Sequence, residues 1–469
     1  MSATVSRPRS SAPAEQVAPA RAQLVQRLFE PVDIASLVVF RIAFGGLMAV
    51  EAYRYLTSGW IRQYWIDPGF YFTFQGFDWV KPWAGDGMYL HFGALGVLAL
   101  CLMAGFAYRV SAALFFAGFT YVFLLDKANY LNHFYLIALI SLVMTLVPAH
   151  RSFSVDARLR PKLRSSTVPA WALWLVRFQV GIAYFYAGVA KLNDDWLHGE
   201  PLRQWLLDAM DFPLIGGFFD ARAAPYLFSY GGLILDLSAV PFLLWRRTRP
   251  YAFAALVCFH LMNTQLFSIG IFPYLMLGAT TIFFAPDWPR RVLARLRRVE
   301  APDRSERSLP GAPPARLRAS QWALVAVLGV FVTFNLVVPL RHLAYPGEVH
   351  CTEEGHRFAW HMKLRDKSAA PVLFVVNEPD GDVVEVHAGE FLSRRQAVKM
   401  STRPDMILQA AHELARRGRA GGEGTVEVRA RTFVSLNGRP PQPMIDPDVD
   451  LAAQPRDLGH SAWIVPLRD

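Results

Sequence analysis

The chain has 469 residues, room for two or three domains. It is 53% hydrophobic, 13% aromatic and only 18% charged, with a positive mean hydropathy. Soluble proteins carry about a quarter charged residues, so the deficit points to lipid exposure. The net charge of +10 comes from short basic clusters between apolar runs, not from one stripe. That pattern argues against a nucleic-acid partner and for a membrane. Three cysteines (Cys101, Cys258, Cys351) make no disulfide framework.

Residues 1–33 are rich in Ala, Pro, Ser and Arg and read as a disordered cytoplasmic tail. The first apolar run then reads as an uncleaved signal anchor. A bilayer core needs about 20 apolar residues per helix. Nine stretches qualify as candidates: about 34–55, 89–107, 110–126, 133–149, 170–190, 226–245, 250–268, 271–286 and 320–340. Tyr251–Ala285 is one apolar run of 35 residues. It would be about 52 Å long as a helix, too long for one crossing. Gly270 and Pro273 supply the break that makes it two spans.

The loops fix an orientation. The tail has Arg7, Arg9, Arg21 and Arg27; the loop after the fourth span has Arg151, Arg158, Arg160, Lys162 and Arg164. Arg246, Arg247 and Arg249 follow the sixth span, and an Arg- and Pro-rich linker over 287–319 follows the eighth. The intervening loops carry Asp67, Asp78, Asp86, Asp194 and Asp195. Basic loops stay in the cytoplasm. Residues 34–286 therefore read as a transmembrane catalytic domain of about eight helices, and 320–340 as a ninth helix running outward. Residues 341–469 then lie outside the cytoplasm. Alternating β-branched runs at Val372–Val376, Val383–His387 and Thr425–Val434 flank a helical stretch at Pro404–Arg417. Turn chemistry sits at Asn377–Gly381 and Asn437–Pro441. The expected fold is a mainly α-helical polytopic membrane protein of about nine transmembrane helices with a C-terminal soluble, β-rich α+β domain.

Only seven lysines stand against forty-one arginines, and Lys191 closes the run VGIAYFYAGVAKLNDDW at the outer end of the fifth span. An ionisable group beside a span is a functional candidate. Desolvation favours the neutral amine, which can act as a general base. The alternative is a lysine snorkelling to the interface beside Asp194 or Asp195. His133, at the outer end of the fourth span, shares the face of Lys191; Asn129 and Asn132 offer amides to orient it, though it could also be a satisfied interfacial polar group. His260 and Asn263 lie one helical turn apart and point into the bundle, for function or for interhelical hydrogen bonds. In YPGEVHCTEEGHRFAWHMKL, the residues Glu353, Glu354, Arg357, Trp360 and His361 could form a peptide-recognition surface or a strand with a charged face. There is no HExxH, clustered Cys/His, Walker, GxGxxG or GxSxG pattern, so no metal is expected.

Taken together these segments resemble vitamin K-dependent gamma-glutamyl carboxylase, with its HTTM-type transmembrane domain. AGVAKLNDDW (Ala187–Trp196) resembles the segment holding the family's catalytic lysine, and LDKANYLNH (Leu125–His133) the one with its functional histidine. GGLILDLSA, HLMNTQLFSIGIFPYLML, PLRHLAYPG, TEEGHRFAWHM and FVSLNGRPPQPMIDPDVDL are similar too, in the same order from Ile34 to Leu467. The resemblance implies a reaction in which reduced vitamin K (phylloquinol or menaquinol) is deprotonated by Lys191. Dioxygen converts it to an epoxide and generates a base that strips a glutamate γ-proton. Carbon dioxide traps the carbanion as γ-carboxyglutamate. His133 would serve the proton transfers; His260, Asn263 and Asn132 would line the quinone site; Glu353, Glu354, Arg357, Trp360 and His361 would meet the glutamyl substrate. The implied partners are the bilayer and a glutamate-containing peptide or protein. There are departures from the animal enzymes: Ala190 replaces a second lysine, Cys351 has no early-loop partner, and the chain ends earlier, at Asp469. The Arg/Ala-rich composition points to a bacterial inner membrane. Two other readings stay open: a quinol epoxidase or oxidoreductase on the same scaffold without protein carboxylation, and a non-catalytic membrane binding protein.

Overall fold

The computed structural model describes residues 25–267, 269–299, 317–377, 382–419 and 425–468. Residues 1–24 of the expected tail, 300–316 of the linker and 378–381 of the Asn377 turn lie outside the described residues. Lipid offers no partner for backbone N–H and C=O groups, so long apolar runs satisfy them by coiling. Each expected span accordingly coincides with a helix. These are α1 (Ala35–Thr57), α2 (Gly87–Ala104), α3 (Tyr108–Leu124), α4 (Asn132–Leu146) and α5 (Ala170–Val189). They continue as α6 (Ala224–Leu244), α7 (Arg249–Leu266), α8 (Phe272–Thr280) and α9 (Ala319–Val337).

Among the described residues five helices are long and apolar enough to cross a membrane: α1, α2, α5, α6, and α9 with its 3₁₀ extension to Ala344. α3, α4 and α8 are apolar but shorter. The expectation of nine crossings therefore narrows to five helices that qualify unaided. The break after α7 is where the sequence put it: Gly270 adopts φ 59° and Pro273 sits in the first turn of α8. The cost of that break is length. With its 3₁₀ continuation α8 ends at Phe283, about 18 Å along the axis, against a hydrocarbon core of about 30 Å.

α1 is the hub of the first half. Leu37, Phe40, Phe44, Met48 and Tyr55 bury its inner face. At Gly45 a Cβ would stand 2.6 Å from the Met103 backbone nitrogen, so only glycine lets α1 and α2 approach this closely. Arg41, 1% exposed within α1, donates to the carbonyls of Ala149 (2.9 Å) and Phe153 (2.6 Å), which answers its buried charge. At the same end, β1 (Pro31–Asp33) pairs antiparallel with β2 (Thr167–Pro169) and ties the entries of α1 and α5 together.

The C-terminal domain holds two three-stranded antiparallel sheets. One orders β3 (Lys367–Ala369), β7 (Phe433–Leu436) and β8 (Gln442–Pro443); the other orders β5 (Val383–His387), β4 (Leu373–Asn377) and β6 (Glu427–Arg431). The expected strand Thr425–Val434 is divided. Thr432 leaves the ladder, and its Oγ1 accepts from the Met444 and Ile445 amides at 3.3 and 3.1 Å, so β6 and β7 enter different sheets. Two helices, α10 (Arg394–Met400) and α11 (Pro404–Arg419), complete the unit. Met406, Ile407 and Ala410 of α11 pack with Phe374, Val428 and Ala430 from the second sheet.

Charged hydrogen bonds join this domain to the helical half. Asp195, just beyond α5, takes both arms of Arg439 (2.7 and 2.8 Å) and the Asn437 amide (2.7 Å). Lys127 meets Asp405 at 2.8 Å, Gln396 donates to Asp126 at 2.9 Å, and Arg395 to Asn129 at 2.9 Å. Arg439→Ala is expected to weaken the first joint by about 2 kcal/mol, the scale of charge-assisted hydrogen bonds. Hydrogen exchange should then rise in β7 and around Asp195 while β4 stays protected; unchanged protection at Asp195 would rule this clamp out.

Candidate functional site

The C-terminal end of α5 is where the chemistry gathers. Gly188 faces α6 so closely that a Cβ there would lie 2.6 Å from Leu237 Cδ2 and 3.0 Å from the Leu237 amide nitrogen. One turn later, that proximity lets Lys191 reach Asp236 of α6. Nζ lies 2.6 Å from Asp236 Oδ2 and 3.1 Å from the Ala187 carbonyl, with the Trp196 ring 5.3 Å away. Lys191 is 5% exposed and Asp236 3%. Lys191 is thus not a snorkelling lysine, and neither Asp194 nor Asp195 is its partner. Asn193 turns the chain by capping the one-turn helix Asp194–Leu197, its Oδ1 accepting from the Trp196 amide at 2.9 Å. Trp196 is held in turn by the Ser229 carbonyl at 3.0 Å.

Lys191 lines a cavity of about 780 Å³ between the helical bundle and the C-terminal domain. His133, His260, Asn263, Asn132, Arg357 and His361 line the same space. The bundle contributes aromatic walls from Tyr55, Trp60, Phe134, Tyr184, Phe259 and Phe272. His133 stands edge-on to Phe134 and tilts over Phe272, with ring centres 5.0 and 5.8 Å away. His260 Nε2 is 2.9 Å from the Tyr184 hydroxyl, which is 2.9 Å from Thr280 Oγ1; its buried Nδ1 has no partner among the described residues. The expected amides do not orient His133. Asn129 takes Arg395, and Asn132 donates to the His361 carbonyl (2.9 Å) while accepting from the Tyr130 hydroxyl (3.0 Å).

The opposite wall is cationic. Arg357, Lys363, Arg365, Arg395, Lys399 and Arg403 line it, while the carboxylates of the lining, Glu51 and Asp236, sit on α1 and α6. Arg357 is balanced by Asp405 at 2.8 Å and Arg365 by Glu353 at 2.5 Å. Burial, with Arg403, Arg395, Lys363 and Arg365 nearby, pushes the Lys399 ammonium down to about 8. Burial also lowers Arg403, to about 10, and Lys363. Like charges are crowded here at a cost, as in sites built to receive an anion.

Three expected substrate residues are placed elsewhere. Glu353 is buried in ion pairs with Arg365 and with Lys367 (3.4 Å). Glu354 accepts from the Ser461 amide at 2.9 Å and faces His460 at 3.0 Å. Trp360 is 1% exposed and packs on Tyr135 with ring centres 5.0 Å apart, so it has no surface to offer a peptide. The segment is also not a strand. Glu353, Phe358, Trp360 and Lys363 all take positive φ, between 50° and 66°, which breaks any ladder and folds the chain over Tyr130 and Tyr135. Backbone strain of this kind is held where packing over-determines it.

Asp236 and the cationic pair Arg395/Lys399 escape the residue-by-residue reading of the sequence. An aspartate inside GGLILDLSA was a visible signal, since an acid in an apolar span calls for a partner. Arg395 and Lys399 share one face of α10 at i, i+4 spacing.

Comparison with known families gives two matches. Residues 29–288 match the HTTM domain, and residues 320–469 match the vitamin K-dependent gamma-carboxylase lumenal domain. No solved structure matches the chain. The HTTM match alone spans more than half of the sequence, and the lumenal match follows it without overlap. The chain belongs to the HTTM-domain family of vitamin K-dependent gamma-glutamyl carboxylases.

Proposed function

We propose that this protein carboxylates glutamate side chains of a peptide or protein, using reduced vitamin K, dioxygen and carbon dioxide. One observation carries the reading: a single cavity joins Lys191 and His133 to an aromatic wall on the membrane helices and a cationic wall on the outer domain. A lipid-soluble ring and a water-soluble carboxylate need a site that meets both phases. The residues fit the ring: aromatic side chains offer stacking faces, and His260 and Asn263 offer polar atoms for ring hydroxyls. Bound there, reduced vitamin K would supply, with dioxygen, the base strength that removal of a glutamate γ-proton demands.

Each residue then has a task. Asp236 fixes the position of Lys191 Nζ. In a low-dielectric site such a short contact can hold its proton on either partner. When the carboxylate takes it, the amine is free to accept a proton from a hydroxyl. His133 serves proton transfer from the facing helix. His260, Asn263 and Asn132 line the quinone end. Arg357 and the Lys399 side of the cationic wall receive the glutamate carboxylate. The family's lumenal domain points to a non-cytoplasmic C-terminal region; we extend this to nine crossings, a cytoplasmic N-terminus and a bacterial inner membrane with menaquinol as donor. Residues 34–286 form the catalytic domain and 341–469 the outer domain in this scheme.

The test incubates the purified chain in nanodiscs with reduced vitamin K, a glutamate peptide and labelled bicarbonate. Label should enter the peptide, and Lys191→Ala should lower it at least about 100-fold, as loss of a positioned base does. Asp236→Asn should lower turnover with little change in peptide KM. Epoxide without label would favour a quinol oxidoreductase on the same scaffold, and neither product would sink both. The pH dependence has a definite sign. Lys399 loses its charge as pH rises through about 8, so peptide KM should climb there by about three-fold, the scale of a partly exposed ion pair. Lys399→Arg should flatten that rise; a KM indifferent to pH in the parent protein would remove Lys399 from the binding wall.

A further inference from the structure

A chain of three side chains leads from the cavity to the surface, and its hydrogen bonds have a direction. Glu348, whose side chain is 40% exposed, approaches His350 Nδ1 at 3.1 Å. His350, with a side chain 3% exposed, places its Nε2 3.0 Å from His361 Nδ1. His361 lines the cavity, and its buried Nε2 has no partner among the described residues. The His350 hydrogen bond holds the Glu348 carboxyl below the usual range, so it is an acceptor. A neutral His350 must then carry its proton on Nδ1 and accept at Nε2. His361 must in turn donate from Nδ1, which leaves a bare lone pair at Nε2. Burial holds His361 neutral, far below the ordinary histidine range.

The surroundings keep the line intact. The His342 and His356 rings lie 4.9 and 5.1 Å from the His361 ring. Arg365 from the chain beyond, Glu353 beside His356, and Asp195 from the α5 side complete the charged groups facing the three residues. The His361 carbonyl is fixed by Asn132 at the start of α4.

We propose that Glu348, His350 and His361 form a proton-exit path from the cavity to the outer aqueous face. The proposal rests on the carboxylase reading, which creates the need for it. Quinol plus dioxygen gives epoxide plus water, a balanced exchange. Glutamate C–H plus carbon dioxide gives a new carboxylate and one proton, and that proton must leave an enclosed site every turnover. It enters at His361 Nε2. The Nδ1 proton of His361 passes to His350 Nε2, the Nδ1 proton of His350 passes to Glu348, and Glu348 releases it to water. The line is left in the opposite sense, with the carboxylate facing a bare nitrogen, and each imidazole must turn, carrying its proton, until an N–H again faces Glu348 and a bare nitrogen faces the cavity.

Two measurements on the full chain in nanodiscs decide it. Nitrogen-15 spectra of the histidines, taken without quinol, should show His361 protonated at Nδ1 and bare at Nε2, and Glu348→Gln should scramble that preference. Turnover in dilute buffer should fall about ten-fold or more in both Glu348→Gln and His350→Ala, and added imidazole should restore it, since a diffusible base can replace a lost relay. The surface variant Glu348→Gln guards against a folding defect in the buried one. A proton on Nε2 of His361, turnover within two-fold of the parent, or a loss that imidazole does not restore would each overturn the path. Absence of any turnover in the parent protein would overturn the carboxylase reading, and the path with it; turnover insensitive to these variants would overturn the path alone.

Discussion

A charge taken out of water must meet an opposite charge at once, and the Lys191–Asp236 contact at 2.6 Å is where this protein meets that demand. The pair dictates the geometry around it. It requires α5 and α6 to approach within the reach of one side chain, which Gly188 permits and a Cβ would prevent. It requires the chain beyond α5 to turn sharply, which Asn193 and Trp196 achieve. The turned segment presents Asp195 to Arg439, so the loop that ends the lysine motif is also a docking point for the outer domain.

The outer domain is thereby part of the site. Its contribution to the cavity is electrostatic: six cationic side chains face a wall of aromatic rings contributed by the membrane helices. Burial, and after it the neighbouring cations, lower Lys399 and Arg403. A bound anion would relieve that crowding. The buried histidines behind this wall play a different part, because neutral imidazoles can pass a proton where a fixed cation cannot.

The strained segment from Glu353 to Lys363 connects the two functions. Phe358 and Trp360 anchor it on Tyr130 and Tyr135, while Arg357 and His361, on either side of them, reach the cavity. Left-handed backbone at non-glycine residues is unfavourable in isolation. Here it seats Phe358 and Trp360 against the helical bundle and leaves Arg357 and His361 at the cavity.

How much of this was legible beforehand follows from the range of each interaction. Hydrophobic runs and their interrupting Gly270 and Pro273 are local, so the helix positions could be read directly. The number that qualify as crossings could not, because α3, α4 and α8 each close after 17 residues or fewer. Lys191, His133, His260 and Asn263 stood out because a polar group in an apolar run is conspicuous in one dimension. Their meeting in one cavity was anticipated only as a shared face. The partner of Lys191 is 45 residues away on another helix, and the nearer Asp194 and Asp195 were the obvious but wrong candidates. The roles of Glu353 and Trp360 misled for a similar reason: a charged or aromatic residue looks the same in sequence whether it faces solvent or is sealed by Arg365 or Tyr135. Which stretches are apolar enough to enter lipid, and which residues are chemically unusual there, can be read one residue at a time. Only the tertiary structure decided which charges neutralise one another, which cations are left facing the cavity, and which histidines line up, because those outcomes depend on contacts between residues far apart in the chain.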